Sequence, residues 1–286
     1  MLPTSGGSVY RGRDVALLTQ HGKEGVIAPI LEEALACRVR RVAGYDTDLL
    51  GTFTRDIPRA GRQLEAARKK ARIGMELAGL PLGLASEGSF GPDPFSGMFS
   101  WNVEMIVWID DVLGVEVVGV ASGGARFSHV LTSSWEEAER FARAAGFPEH
   151  GLVVRPRHED DPQIRKGIAD WERLREAFEW ARGEAGDDGS VFVETDLRAH
   201  LNPTRMGMIG EAARDLARKL CTLCPDCEAP GFQLAERVPG LPCGECRSPT
   251  REARADIYRC LLCGHQVTVE RPETAAPAGR CDFCNP

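Results

Sequence analysis

The stretch CGEC at residues 243–246 is one of four Cys-x-x-Cys knuckles that decide how the last quarter of the chain folds. Two thiolates two residues apart can face one tetrahedral metal ion, so four knuckles supply the ligands of two zinc ions. The knuckle spacing, with Gly and Pro nearby, favours metal over a disulfide framework. The predicted zinc ligands are Cys224, Cys227, Cys243, Cys246, Cys260, Cys263, Cys281 and Cys284.

The spacing between the knuckles bears on which of them share an ion. CGEC at 243–246 and CLLC at 260–263 are separated by the length of a hairpin, as in a zinc ribbon. This favours nested pairing, in which the outer knuckles at 224–227 and 281–284 bind the second ion. Sequential and crossed pairing remain open. Shells made only of cysteine leave no open coordination position, so both ions are predicted to be structural. If the module has a function beyond stability, that function is expected to be binding a partner, either a protein or an RNA.

Composition narrows the class of protein. The N-terminus lacks a basic stretch followed by an apolar run, and no segment has the unbroken apolar length that crosses a bilayer. We therefore expect a cytoplasmic protein with no membrane partner. The formal net charge is −7, with the acidic excess in the first 200 residues. An acidic body and a neutral tail are a poor electrostatic footprint for binding nucleic acid through its phosphates.

Ahead of the cysteines, segments with strand and helix patterns alternate. This alternation predicts a three-layer α/β domain with a mixed sheet over residues 1–200, a connecting helix over 201–220 and the zinc module over 221–286. The predicted strands cover 14–19, 38–43, 82–86, 102–109, 115–121, 152–154 and 189–193. The predicted helices cover 25–37, 61–80, 134–145 and 164–182, with a last helix that Asn202 caps and that ends near 220.

Three polar clusters lie where predicted strands end or helices begin, the positions at which open α/β sheets bind ligands. They are Gln20 to Lys23, Glu65 to Ala71, and Ala85 to Ser89. Lys23, beside a helix N-terminus, can hold phosphate. The alternatives are ordinary: a solvated turn at Lys23, a surface ion pair between Glu65 and Lys69, and a polar turn at Glu87.

In their order along the chain, the three clusters resemble the motifs of nucleoside-triphosphate pyrophosphatases of the inosine-triphosphatase-like group, over about residues 14–150. The resemblance implies that Lys23 and Lys70 bind phosphates, that Glu65 binds magnesium, and that Glu87 binds metal or activates water. The chain departs from the pattern at three points. Gln20 and Ala66 replace two asparagines, and Ser86-Glu87 replaces an acidic pair.

A longer resemblance covers nearly the whole chain. The stretches DTDLLGTFTR, LASEGSFGP and ETDLRAHLNPTRM, together with the cysteine tail, are similar to a bacterial family described as a domain of unknown function. It directs attention to a set of polar residues for which turn chemistry and helix capping are equally good explanations. These are Asp46, Asp48, Arg198, His200, Asn202 and Arg205. Of these, Arg198, His200 and Arg205 are predicted to line the same cleft as Glu87.

These observations predict a magnesium-dependent nucleotide pyrophosphatase or phosphohydrolase with a structural zinc tail. Its ligand would be a nucleotide or another phosphate-bearing molecule. The alternative is a non-catalytic adaptor that keeps the fold of such enzymes and docks a protein or RNA through its zinc ribbon.

Overall fold

The computed structural model describes residues 9–45 and 62–286. Its largest sheet has five strands in the order β2-β1-β3-β4-β5. Strand β1 is parallel to β2 and β3, and β4 is antiparallel to β3 and β5, so the sheet is mixed, as predicted. The strands are β1 (Asp14–Leu18), β2 (Arg38–Val42), β3 (Leu82–Pro92), β4 (Ser100–Asp110) and β5 (Val115–Gly124).

Helices cover both faces of this sheet and complete three layers. They are α1 (Glu24–Leu35) and α5 (Pro203–Cys221) on one face and α2 (Gln63–Ala78) on the other. Side chains alternate between the faces of a strand. Ile106 and Trp108 of β4 therefore pack with α1 and α5, whereas Val107 and Ile109 pack with α2. The α/β class predicted from the alternating pattern is confirmed.

A second sheet of the body has four antiparallel strands in the order β6-β9-β7-β8. Its elements are β6 (His129–Thr132), α3 (Trp135–Ala145), β7 (Leu152–Pro156), β8 (Arg165–Ile168), α4 (Trp171–Glu184) and β9 (Val191–Thr195). Residues 165–168 were expected to begin a helix but form a strand. The carboxylate of Asp170 accepts a hydrogen bond from Arg173 N at 2.8 Å, and this cap sets the start of α4 at Trp171.

The cysteine-rich tail forms a separate antiparallel sheet in the order β10-β11-β12. Its strands are β10 (Gln233–Pro239), β11 (Ala253–Arg259) and β12 (Gln266–Glu270). Helix α5 leads into this tail, and Asn202 caps α5 as predicted, because its side chain accepts a hydrogen bond from Arg205 N at 2.9 Å. Within residues 9–45 and 62–286, no helix combines the length and apolar character needed to span a bilayer.

Candidate functional site

The eight knuckle cysteines form two groups of four that can each hold a metal ion. The pairing is crossed, so the favoured nested arrangement is wrong. Within each group the four Sγ atoms lie within 4.8 Å of one another. The first group contains Cys224, Cys227, Cys260 and Cys263, and the second contains Cys243, Cys246, Cys281 and Cys284.

The antiparallel sheet explains the crossed pairing. Strand β10 lies between the first and second knuckles, β11 between the second and third, and β12 between the third and fourth. Successive knuckles therefore lie at opposite ends of the sheet. The start of β10 lies beside the end of β11, where Gln233 faces Arg259, and this brings the first and third knuckles together. The second and fourth knuckles meet at the opposite end, where the isolated bridge between Cys243 and Ala276 joins the segments that carry them. Knuckle spacing shows the type of ligand but not the number of strands between ligands.

Backbone amides around the thiols favour the metal-binding thiolate form. Cys260 Sγ accepts hydrogen bonds from the N–H groups of Leu262 at 3.3 Å and Cys263 at 3.4 Å. Hydrogen bonds from Ser248 lower the pKa of Cys246 to about 6. Thiolate is the form of cysteine that binds metal. All-cysteine tetrahedral shells are typical of structural zinc.

A second polar site lies in the body, beyond the carboxyl end of β1. That strand pairs with β3 at residues 83 and 84, and β3 then continues to Pro92 paired with β4. Lys23, in the turn before α1, reaches across this gap. Its Nζ donates a hydrogen bond to Ser86 Oγ at 3.1 Å, and Lys23 is only 7% exposed.

On the α2 side of the sheet, the ammonium of Lys70 forms an ion pair with the carboxylate of Glu87, and both side chains are buried. Gln63, at the start of α2, holds the helix against the hairpin that β3 and β4 form. Its Nε2 donates to the carbonyl oxygens of Glu87 and Val103, each at 2.8 Å. The predicted Lys70 and Glu87 thus meet, although they come from different motifs.

A buried ion pair between Glu104 and Arg205 lies on the opposite face of the same hairpin. Arg205 Nε donates to Glu104 Oε1 at 2.7 Å, and the two residues are 3% and 0% exposed. Asn102 Nδ2 lies 3.3 Å from the same oxygen, whereas Glu104 Oε2 has no hydrogen-bond partner among the described residues. Glu104 was not among the predicted residues. Its alternation with Ile106 and Trp108 in β4 is the signal that places it inside.

Gly88 of the Ser-Glu-Gly-Ser motif makes room for this ion pair. A Cβ atom at residue 88 would lie 2.3 Å from Glu104 Oε1 and 2.7 Å from Arg205 Nη2. Both distances are far below van der Waals contact. The glycine is therefore needed because the buried pair lies directly against the backbone of β3.

We expect Gly88→Ala to destabilise the protein by about 3 kcal/mol, because the new methyl group must displace a buried ion pair. The matched control is Gly91→Ala on the same strand, where a Cβ would meet no atom of the described residues within 4 Å. Urea unfolding of both variants measures the difference. Equal stabilities would contradict the proposed steric role of Gly88.

Charged groups on both faces of the β3–β4 hairpin act on Lys23. Burial, together with the nearby guanidinium of Arg205, lowers the pKa of Lys23 to about 8, while the carboxylates of Glu104 and Glu87 oppose the shift. Lys70 also acts on Lys23. Three cations and two carboxylates leave a formal charge of +1 on these five residues, in surroundings where unbalanced charge is costly.

The other residues that the sequence analysis proposed for the site differ in where they lie. Glu65 is exposed, and its carboxylate accepts a hydrogen bond from Arg62 N at 2.8 Å, which caps α2. The ring of His200 stacks on the ring of His21, with centroids 4.8 Å apart. His21 lies two residues before Lys23 in the sequence. Arg198 forms an ion pair with the buried Asp196 at 2.7 Å. Asp46 and Asp48 lie outside the described residues.

Comparison with known proteins identifies a family. The family model described as "Domain of unknown function (DUF6671)" matches residues 70–286. No curated protein and no solved structure matches the chain. The matched range contains Lys70, Glu87, Glu104 and Arg205 and every cysteine knuckle, and Lys23 precedes it. Because the match extends over well more than half of the sequence, the chain belongs to this family of domains of unknown function.

Proposed function

We propose that the second polar site, which contains Lys23 and Glu87, binds the phosphates of a nucleotide. We further propose that the protein is a magnesium-dependent nucleotide pyrophosphatase or phosphohydrolase. The observation that carries this proposal is the buried cluster of Lys23, Lys70, Arg205, Glu87 and Glu104 with its excess positive charge. A polyanion supplies the missing negative charge, and ammonium groups are common phosphate ligands. The position of the cluster beyond the end of a parallel strand also suits a ligand site.

The residues would divide the work as follows. Lys23, already hydrogen-bonded to Ser86, binds one phosphate oxygen, and Lys70 binds another. When Lys70 turns to the phosphate it releases Glu87, whose carboxylate can then orient the attacking water. Magnesium, when bound, would neutralise phosphate oxygens as charge develops on them. Glu65 has a weaker case than the resemblance implied, because its carboxylate already caps a helix.

A screen of nucleoside triphosphates, with and without magnesium, tests the proposal. A ligand that binds only the folded protein at 100 times its Kd adds about 2.7 kcal/mol of stability, which thermal unfolding detects easily. A pyrophosphatase would release pyrophosphate and a nucleoside monophosphate. A phosphohydrolase would release inorganic phosphate and leave a nucleoside diphosphate, so product analysis distinguishes the two activities. The absence of any nucleotide-dependent shift or product would contradict this function.

The titration of Lys23 predicts a pH dependence of phosphate binding. The pKa of Lys23 is lowered from 10.5 to about 8, so its ammonium is charged below pH 8 and becomes neutral as pH rises through this value. We therefore expect inorganic pyrophosphate to bind progressively more weakly above pH 8. Lys23→Arg should flatten the profile, because a guanidinium does not deprotonate in this range. Calorimetric titrations from pH 6.5 to 9.5 measure this, and identical profiles for the two proteins would contradict the role of Lys23.

A non-catalytic adaptor is the second candidate. It is favoured by large apolar side chains at the tips of two metal knuckles, Leu262 at 51% exposure and Phe283 at 78%. Exposed apolar groups on a rigid zinc module are typical of docking surfaces. In that case nucleotides would leave the unfolding temperature unchanged, while Leu262→Ser and Phe283→Ser would abolish capture of a partner without altering metal content.

A further inference from the structure

Glu104 contains an unsatisfied acceptor in the interior of the protein. Its side chain is fully buried, and one oxygen is occupied by Arg205, while Oε2 has no hydrogen-bond partner within residues 9–45 and 62–286. An unpaired oxygen of a buried carboxylate is costly, so such an atom calls for a ligand. Two residues earlier on the same face of β4, the amide oxygen Oδ1 of Asn102 is also buried, and it too has no partner in these parts of the chain.

Carboxylate and amide oxygens are the ligands that magnesium prefers, and magnesium at phosphate sites commonly uses one or two carboxylates plus the phosphate itself. The motif that resembles the pyrophosphatases has Ser86 where an acidic residue is expected. Glu104 belongs to the neighbouring strand and lies on the same face as Ser86, since Gly88 faces Glu104 and Ser86 faces Ile106. It can therefore supply the carboxylate that the motif lacks.

We propose that Glu104, assisted by Asn102, is the magnesium-binding carboxylate of this site, held in place through Oε1 by Arg205 and binding the metal through its buried Oε2. This inference rests on the proposed phosphate site. Because the positive charges of Lys23 and Arg205 lie close to Glu104, a metal cation without an anionic ligand is repelled there. The metal therefore binds together with a phosphate ligand, as the magnesium complex, and not in advance of it.

The proposal predicts opposite effects of one substitution on two measurements. In Glu104→Gln the cluster gains one positive charge, so metal-free pyrophosphate should bind about tenfold more tightly than to the wild type. Magnesium should tighten binding to the wild type at least about tenfold and binding to Glu104→Gln less than about twofold. A misfolded variant cannot produce this result, because it would lose both kinds of binding.

Calorimetric titration of the zinc-loaded full chain with sodium pyrophosphate, with and without magnesium chloride, makes both measurements. Glu139→Gln is the matched control and should behave as wild type, because Glu139 is half-buried on α3 and its carboxylate pairs with Arg143 of the same helix. Asn102→Asp, which replaces an amide by a carboxylate, should increase the effect of magnesium. If Glu104→Gln keeps the full magnesium effect, or Glu65→Gln loses it instead, the assignment to Glu104 is overturned. If the wild type binds pyrophosphate in neither condition, the phosphate site itself is refuted, and with it this inference.

Discussion

Cys224→Ser should release one of two metal ions and destabilise both the tail and the end of α5 that carries it. Cys243→Ser, the same change in the other metal group, should release one ion and leave the body stable. Structural zinc contributes about 10–16 kcal/mol in small modules, so loss of a ligand should unfold the sheet end that the metal holds. Metal analysis should give two ions for the wild type and one for each variant.

The difference between the variants follows from what each metal group touches. Cys224 and Cys260 pack with Phe232, which is buried, and Phe232 N donates a hydrogen bond to Thr222 O at 3.0 Å, just past the end of α5. Lys219 of α5 in turn donates to the carbonyl oxygen of Val118 in β5 at 2.7 Å. The Cys243 group is instead tied to the tail itself, where Gly244 N donates to Ala276 O at 2.9 Å.

Thermal unfolding of the body, followed by tryptophan fluorescence, compares the two variants, because all five tryptophans precede residue 181. Limited proteolysis reports the tail. We expect a lower body midpoint for Cys224→Ser only. Equal midpoints would mean that the first metal group does not stabilise the end of α5.

If the protein is the proposed nucleotide hydrolase, Glu87→Gln should lower its turnover by about 10²–10⁴, the usual contribution of a positioned acid or base. It should also destabilise the protein, because Lys70 then remains buried without its partner. The double variant Lys70→Gln/Glu87→Gln separates the two effects. It should recover much of the stability and none of the activity.

Steady-state kinetics and urea unfolding of the single and double variants complete this comparison. Lys23→Arg is a useful reference, since it keeps a positive charge in place and leaves the Lys70–Glu87 pair intact. Turnover by Glu87→Gln at the wild-type rate would exclude Glu87 from the chemistry and leave the ion pair with a structural role only.

Much of the architecture could be predicted because it depends on local patterns. The alternation in β4 and β5 and the capping residue Asn202 are signals within a few residues of the elements they define. The strand at 165–168 was missed because four residues carry too little periodicity to compete with the helical pattern that follows. The N-cap residue Asp170 marks the start of α4 at Trp171 more directly than the helical pattern does.

The site was only partly predictable for a different reason. Lys23, Lys70 and Glu87 belong to recognisable motifs, but nothing local links Glu104 to Arg205, which lie 101 residues apart in sequence. Their contact depends on α5 returning to cover β4. The same limit applies to the knuckles, whose grouping depends on how many strands intervene.

The crossed grouping of the knuckles has a consequence for how the chain acquires its metal during synthesis. The first group joins residues 39 positions apart and the second joins residues 41 apart, and the two loops overlap. Neither shell can be completed by a contiguous hairpin, so both closures carry the entropy of a long loop. As the ribosome extends the chain, the first ion cannot be fully coordinated until Cys263 has emerged, and by then half of the second shell is already present. The first centre must therefore wait for the third knuckle and the second centre for the fourth, so the two should mature in that order, with both shells half complete until Cys260 and Cys263 appear.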